Sequence, residues 1–200
     1  MAVPRLNKVR MVEVVNAVGS GFLDREFDLS VVAGDLGSVA DFDPEKYPGM
    51  YIRFSEDSPL VTVYRTGKYI VTGADSLDEL EEFNDKLIDL LCENEIIERS
   101  DVEWFEAQNL VCTTNFDQEL NLSALAIGLG LEQTEYEPEQ FPGLIYRPED
   151  FEVTLLVFAT GKIIVGGTTD RDEASSAIRY LKEELKVLDR VHTRTNSRDT

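Results

Sequence analysis

The sequence contains one series of segments twice, in the same order and about 93 residues apart. The matched pairs are VNAVGS (15–20) with QNLVCT (108–113), EFDLSVVAGDLG (26–37) with ELNLSALAIGLG (119–130), DFDPEKYPGMYIRF (41–54) with EYEPEQFPGLIYRP (135–148), and VTVYRTGKYIVTG (61–73) with LLVFATGKIIVGG (155–167). One residue inserted near 131–134 moves the offset from 93 to 94. Because the period is long and there are only two copies, the pattern predicts a duplicated domain and not a solenoid.

Each copy shows the same order of predicted elements. The sequences Pro-Gly and Thr-Gly-Lys recur in both copies as turn signals, and they divide the middle of each copy into four short strands. The other predicted elements are a first strand (11–22 and 102–115), a short helix (29–37 and 122–130) and a closing long helix (76–92 and 170–188).

The two long helices have clear start signals and apolar stripes. Ser76 and Glu79 have the spacing of a capping box, and Asp170 and Glu173 stand at the start of the second long helix. Apolar residues then recur at helical spacing. They are Leu77, Leu80, Phe83, Leu87 and Leu91 in the first long helix, and Ala174, Ala177, Ile178, Leu181, Leu185 and Leu188 in the second.

These elements predict an α+β fold made of a pseudo-twofold duplicated unit. Ten strands are most simply joined in one antiparallel sheet with the long helices on one face. The other face then has no helix over it, and an uncovered, partly apolar face is typical of a binding surface. The expected segments are a flexible N-terminus (1–9), a first repeat (10–100), a second repeat (101–190) and a polar C-terminal tail (191–200).

The chain is strongly acidic: 39 Asp and Glu residues against 19 Lys and Arg residues give a formal net charge of −20. Such a charge opposes nucleic-acid binding in dilute salt. In molar salt the Debye length falls to about 3 Å, so long-range repulsion is screened. The charge therefore fits a protein from a salt-rich cytoplasm, with an acidic interaction surface or a DNA mimic as the alternatives.

No enzymatic motif is present in the sequence. It has no GxGxxG, P-loop, HExxH or Ser/His/Asp set, so we expect no catalytic residue, no metal site, no cofactor and no small-molecule substrate. Cys92 and Cys112 are expected to be small buried side chains, and the single histidine, His192, lies in the polar tail. With no 18-residue apolar run and no leader pattern, a cytoplasmic protein is expected.

The segments EYEPEQFPGLIYR (135–147) and TLLVFATGK (154–162), with the paired asparagines and paired TGK turns, carry a family resemblance. Over residues 11–188 the sequence resembles the archaeal and eukaryotic TATA-box-binding proteins. The resemblance implies a saddle-shaped sheet with its helices on the convex face. It also implies that the concave face binds the minor groove of AT-rich promoter DNA and bends it.

By this resemblance, apolar wedges enter between base steps at each end of the site. The second copy matches the family phenylalanines with Phe141 and Phe158, whereas the first copy has Tyr47 and Tyr64. A tyrosine ring is flat and can still wedge, but its hydroxyl needs water or a polar partner. The two tyrosines are therefore a departure from the family pattern at the first end.

The resemblance also assigns the centre of the site and the phosphate contacts. Asn16 and Asn109 map to the pair that reads the central base pairs, with Val18 and Val111 on the same strand faces. Phosphate contacts map to Arg53, Lys68, Arg147 and Lys162. Thr72 maps to a hydrogen-bonding position, but the matching residue in the second copy is Gly166, and two family lysines are replaced by Asp75 and Thr169.

The implied partners are double-stranded TATA-box DNA, a B-type transcription initiation factor and, through that factor, RNA polymerase. Glu137 and Glu139 lie in the loop that docks the B-type factor in the family. Two alternatives stay open: a diverged paralogue that serves selected promoters, and an acidic protein-interaction module that keeps the fold with weak DNA binding.

Overall fold

The computed structural model describes the backbone of residues 11–196 and side chains as far as residue 188. The predicted flexible N-terminus at 1–9 and residues 197–200 of the predicted tail lie outside the described residues, and the side chain of His192 lies outside them too.

Ten strands and four α-helices follow one another in the order expected for two copies of one unit. The strands are β1 (Glu13–Leu23), β2 (Ala40–Asp41), β3 (Gly49–Ile52), β4 (Leu60–Tyr64), β5 (Lys68–Ala74), β6 (Val102–Asn115), β7 (Thr134–Glu135), β8 (Gly143–Tyr146), β9 (Thr154–Phe158) and β10 (Lys162–Thr168). The helices are α1 (Leu29–Leu36), α2 (Leu77–Glu93), α3 (Leu122–Leu129) and α4 (Arg171–Asn196).

The strands form one ten-stranded sheet in the order β2-β3-β4-β5-β1-β6-β10-β9-β8-β7. Within each repeat, neighbouring strands pair antiparallel, for example β1 with β5 and β6 with β10. This topology confirms the predicted α+β fold with a duplicated unit. None of the described helices is long and apolar enough to cross a membrane.

The chain divides into two compact units, Val15–Asn109 and the rest of the described chain. We call them the first and the second unit. In the first, α2 packs on β5, and in the second, α4 packs on β10. The strand residues that face these helices are fully buried, as Val61, Val71 and Leu155 show.

Most residues of the predicted apolar stripes are buried, with two corrections. Leu77, the first residue of α2, is exposed, and Ile88 is buried in addition to Leu80, Phe83, Leu87 and Leu91. Cys112 is buried as expected, but Cys92 near the end of α2 is only half-buried. Helical spacing alone therefore does not settle burial at the ends of a helix, since Leu91 in the last turn of α2 is buried and Leu77 in the first turn is not.

The helix starts use the polar residues that the sequence offers, in a partly different way. The Ser76 hydroxyl oxygen accepts a hydrogen bond from the Glu79 N–H at 3.1 Å. The Glu79 carboxylate, however, accepts from the N–H of Asp75 and not from that of Ser76, which a capping box requires. At its other end, α4 continues to Asn196, past the predicted end at 188, because no Gly or Pro follows to stop it.

The Thr-Gly-Lys turns are confirmed by their backbone. Gly67 has φ +87° and Gly161 has φ +84°, in the left-handed region that favours glycine. A Cβ on Gly67 would lie 2.1 Å from the carbonyl oxygen of Leu23, and one on Gly161 would lie 2.3 Å from that of Gln118. Glycine is therefore required at both turns, for its left-handed backbone and because a Cβ has no space there.

Candidate nucleic-acid interface

One face of the first unit carries half-buried residues in rows across the strands, and we call it the open face. Residues directly opposite each other on paired strands share a face. Val18 lies opposite Thr72, which lies opposite Leu60, and Ser20 lies opposite Ile70. Valine, isoleucine and leucine therefore stand on a sheet face that no described helix covers. The sequence predicted Val18 and Thr72 here.

The second unit has a matching open face. Thr113 lies opposite Ile164, which lies opposite Leu156 and then Ile145. Val111 is half-buried on β6, and Gly166 lies opposite Thr154 on β9. Since Gly166 has no side chain, the threonine hydroxyl that Thr72 provides in the first unit has no counterpart in the second.

An aromatic pair lies at the same register position of each unit. The ring centroids of Phe141 and Phe158 are 5.8 Å apart at 65°, and those of Tyr47 and Tyr64 are 6.3 Å apart at 57°. The first unit adds Tyr51, whose ring stacks on Tyr47 at 5.3 Å. The structure thus brings together both aromatic pairs that the sequence matched. Tyr51 was missed, because its counterpart in the second copy is Ile145.

A glycine lies under each pair and leaves room for the rings. A Cβ on Gly143 would lie 2.7 Å from Cε1 of Phe141 and 3.2 Å from Cε1 of Phe158. A Cβ on Gly49 would lie 2.9 Å from Cε1 of Tyr47 and 3.1 Å from Cε1 of Tyr64. The Pro-Gly dipeptides therefore have a second role besides the turn: they let both rings lie against the strand.

The tyrosine pair differs from the phenylalanine pair in one hydrogen bond. The hydroxyl oxygens of Tyr47 and Tyr64 are 2.7 Å apart. This bond to Tyr47, together with partial burial, raises the pKa of Tyr64 from 10.0 to about 12. Tyr64 is therefore a neutral phenol with a hydroxyl proton at any physiological pH.

The side chain of Asn16 is held in one orientation by the strand next to it. Its Oδ1 accepts a hydrogen bond of 3.0 Å from the backbone N–H of Gly73, a residue with φ +95° beside an irregularity in the β1–β5 register. An N–H can donate only to the oxygen of the amide, so the bond fixes which end is which. The Nδ2 amino group is then directed away from that N–H. Asn109 holds the matching, half-buried position on β6.

The four predicted cations are of two kinds. Arg53 donates to the carbonyl oxygens of Glu56 and Ser58 at 3.1 and 2.9 Å, which ties it to the β3–β4 loop. Arg147 lies 3.6 Å from the carboxylate of Glu135. Lys68 and Lys162 are exposed, and within residues 11–188 neither forms an ion pair. The two lysines are thus available to an anion. The two arginines must first break their contacts with the β3–β4 loop and with Glu135.

Glu137 and Glu139 are exposed in the loop that leads into Phe141. The carbonyl oxygen of Glu137 accepts from the N–H groups of Gln140 and Phe141, each at 2.9 Å, and its carboxylate accepts from the Gln140 amide. The acidic loop and the aromatic pair are therefore joined through one tight turn.

The chain forms a duplicated antiparallel sheet, and each unit has one apolar face without a helix over it. These features define the class of proteins that bind ligands on a sheet surface. Comparison with known proteins defines the class further. The family model "Transcription factor TFIID (or TATA-binding protein, TBP)" matches residues 11–94 and again residues 104–188. The two matches correspond to the two copies seen in the sequence.

Similar proteins agree with this result. TATA-box-binding protein C of Halobacterium salinarum is 46% identical over 178 residues, which cover 88% of this chain and 98% of that protein. The TATA-box-binding protein of Natronomonas pharaonis is 41% identical over 181 residues, covering 89% and 96%. The solved structure of Methanococcus jannaschii TBP superposes with a TM-score of 0.75 at 36% identity, covering 88% of this chain and 98% of that one.

The chain therefore belongs to the TATA-binding protein family, in its halophilic archaeal form. It is a general transcription factor that binds TATA-box DNA, and not an enzyme.

Proposed function

We propose that the open faces of the two units bind AT-rich promoter DNA in its minor groove and bend it, with the aromatic pairs as wedges. The observation that carries this proposal is the repeated placement of two rings over a glycine, once in each unit. Minor-groove architectural proteins, TATA-binding proteins among them, insert apolar side chains between base steps to kink the duplex. The rows of valine, leucine and isoleucine beside each pair give the apolar surface that an opened groove would cover.

Asn16 and Asn109 read the central base pairs in this proposal. Both A·T and T·A pairs present only acceptors in the minor groove, whereas guanine adds an amino donor. Because the Gly73 N–H holds Oδ1 of Asn16 towards the neighbouring strand, the Nδ2 donors are the groups that Asn16 presents to DNA. Donors match A·T pairs of either orientation and conflict with the guanine amino group.

Contacts to phosphates come from Lys68 and Lys162 directly, and from Arg53 and Arg147 after they leave their partners within the chain. Four cations against a net charge of −20 give little attraction in dilute salt. Few phosphate contacts also mean a shallow dependence of affinity on salt. Apolar burial then carries most of the affinity, and it does not weaken in molar salt.

The same loop that leads into Phe141 recruits the B-type initiation factor, and that factor in turn brings RNA polymerase to the chromosome. Glu137 and Glu139 are both exposed and reach solvent beside the wedge. A partner with basic side chains can therefore contact the protein and the kinked DNA at once, which makes recruitment dependent on DNA binding.

Bending is tested with a short TATA duplex that carries donor and acceptor dyes at its two ends, in about 0.1 M and then molar potassium chloride, which spans weak to strong screening. We expect energy transfer to rise on adding protein in molar salt, and not with a GC-rich duplex. Phe158→Ala should reduce the rise, whereas Val187→Ala, on the exposed side of α4, should not. No rise at any salt with folded protein would refute the proposal.

Recruitment is tested separately by the formation of a ternary complex with the B-type factor in a gel-shift assay. Glu139→Gln should weaken the ternary complex and leave the bend unchanged. Its matched control is Glu45→Gln, the same change at the equivalent exposed position of the first unit. Equal effects of the two variants would contradict the assignment of the second-unit loop.

A further inference from the structure

The two aromatic pairs have nearly the same geometry and different chemistry. The inter-ring distances are 6.3 and 5.8 Å and the interplanar angles 57° and 65°. Both pairs lie over a glycine that follows a proline. The tyrosine pair, however, ends in two hydroxyl groups, and the phenylalanine pair has no polar atom. One end of the protein therefore presents polar chemistry that the other end lacks.

The hydroxyl groups keep hydrogen-bonding capacity after they bond to each other. One of them donates its proton to the other, so one hydroxyl proton remains as a donor and both oxygens retain acceptor lone pairs. Because the pKa of Tyr64 is raised to about 12, this set of donors and acceptors is unchanged across physiological pH. A surface depression of about 380 Å³ lined by Tyr64, Lys68 and Ile70, among others, lies beside the pair and leaves room for the edge of a base pair.

The two ends of the protein differ in the hydrogen bonds that they can offer to A·T and G·C pairs. An A·T pair presents only acceptors in the minor groove, while a G·C pair adds the guanine amino donor. Against phenylalanine rings, that donor loses water and gains no partner, which is costly. Against the tyrosine pair, a hydroxyl oxygen can accept from it, and the free hydroxyl proton can still serve an A·T acceptor.

We propose that Tyr47 and Tyr64 form a specificity-determining pair that lets the first unit accept a G·C pair at its end of the binding site, whereas Phe141 and Phe158 restrict the second unit to A·T. The inference rests on the proposed function, since it assumes that both pairs contact DNA. A consequence is directional binding: on a site with one G·C end, the first unit takes that end. A protein with two identical pairs has no such preference.

The test compares the affinity for three duplexes in molar potassium chloride, all with the same AT-rich centre. They carry no G·C end, one G·C end, or two. For the wild type we expect about a twofold loss with one G·C end, because one of the two orientations remains. With two G·C ends the loss should be on the order of tenfold, the scale of one unsatisfied buried donor.

Two double variants test whether the hydroxyl groups cause the difference between the ends: one replaces the tyrosine pair by phenylalanines, and the other replaces the phenylalanine pair by tyrosines. Relative to its own affinity for the all-AT duplex, Tyr47→Phe with Tyr64→Phe should lose on the order of tenfold already with one G·C end. Phe141→Tyr with Phe158→Tyr should tolerate both ends. The Tyr-to-Phe changes remove only two partly exposed hydroxyls, and a circular dichroism melt verifies that the fold is intact.

The inference is overturned if the wild type and the double phenylalanine variant lose equal affinity with one G·C end while both bind the all-AT duplex. Failure of every protein to bind the all-AT duplex would instead refute the proposed function. The two failures are therefore distinguishable within one set of measurements.

Discussion

Gly143→Ala places a Cβ under Phe141 and Phe158. It tests whether these two rings need a strand without a side chain beneath them in order to act as a wedge. The added Cβ would lie 2.7 Å from Cε1 of Phe141, 3.2 Å from Cζ of the same ring and 3.2 Å from Cε1 of Phe158. Carbon atoms in ordinary contact are about 3.5–4.0 Å apart, so the rings must move by roughly 1 Å. Because both rings are half-buried at the surface, they can move outward. The free energy of unfolding should therefore fall by only about 1 kcal/mol, the low end for overpacking.

The effect on DNA should be larger than the effect on stability. Burying one phenylalanine contributes about 1.5–3 kcal/mol, so losing one ring contact corresponds to roughly 10- to 150-fold weaker binding. The assays are energy transfer across a labelled TATA duplex and urea unfolding, both in molar potassium chloride. Gly34→Ala is the matched control, since its Cβ meets nothing within 4 Å on the exposed side of α1. A variant that bends and binds DNA as the wild type does would refute the placement of this wedge.

Three further predictions concern the polar groups of the interface. Asn16→Asp keeps an oxygen for the Gly73 N–H but replaces the amino donors with a charged oxygen. We expect an unchanged urea midpoint and roughly 5- to 150-fold weaker DNA binding, since a lost donor and a buried like-polarity contact cost about 1–3 kcal/mol. Equal affinity would show that the amide does not face the groove. Glu135→Gln releases Arg147 from a half-exposed pair, so DNA affinity should rise by up to about fivefold, because the pair no longer has to be broken. An unchanged affinity would show that Arg147 contacts no phosphate. The pKa of Tyr64 is higher in the folded than in the unfolded chain, so its stabilising contribution is complete below pH 10 and is lost as the pH rises towards 12. In an ultraviolet titration, the difference between wild type and Tyr64→Phe should show this phenol titrating near pH 12, and Tyr47→Phe should move it back towards 10.

Much of the fold was predictable because it depends on signals that are local in the chain. The Thr-Gly-Lys turns need a left-handed backbone that glycine supplies, and the structure has Gly67 and Gly161 there. The long helices begin where Ser76 and Asp170 can accept from exposed N–H groups. The duplication added a check that a single copy lacks, since each element had to be predicted twice. The predicted end of α4 was wrong, because no local signal in the sequence ends this helix.

The site was predictable only as a set of residues, and its chemistry depended on contacts between strands distant in the sequence. That Tyr47 and Tyr64 bond to each other follows from β3 pairing with β4, with Gly49 opposite Tyr64. The orientation of the Asn16 amide is set by a backbone N–H 57 residues away. Arg53 and Arg147 carry the predicted charge but are engaged with a loop and with Glu135, which residue type alone does not reveal.

The sequence by itself determined the duplication, the order of elements and the residue types on each strand, because turns, caps and periodicity act over a few residues. Only the tertiary structure decided which hydroxyls, amides and guanidinium groups are already bonded within the chain. The physical reason is that a hydrogen bond depends on the distance and direction between two groups. Across a sheet, both are set by strand register, which no single strand specifies.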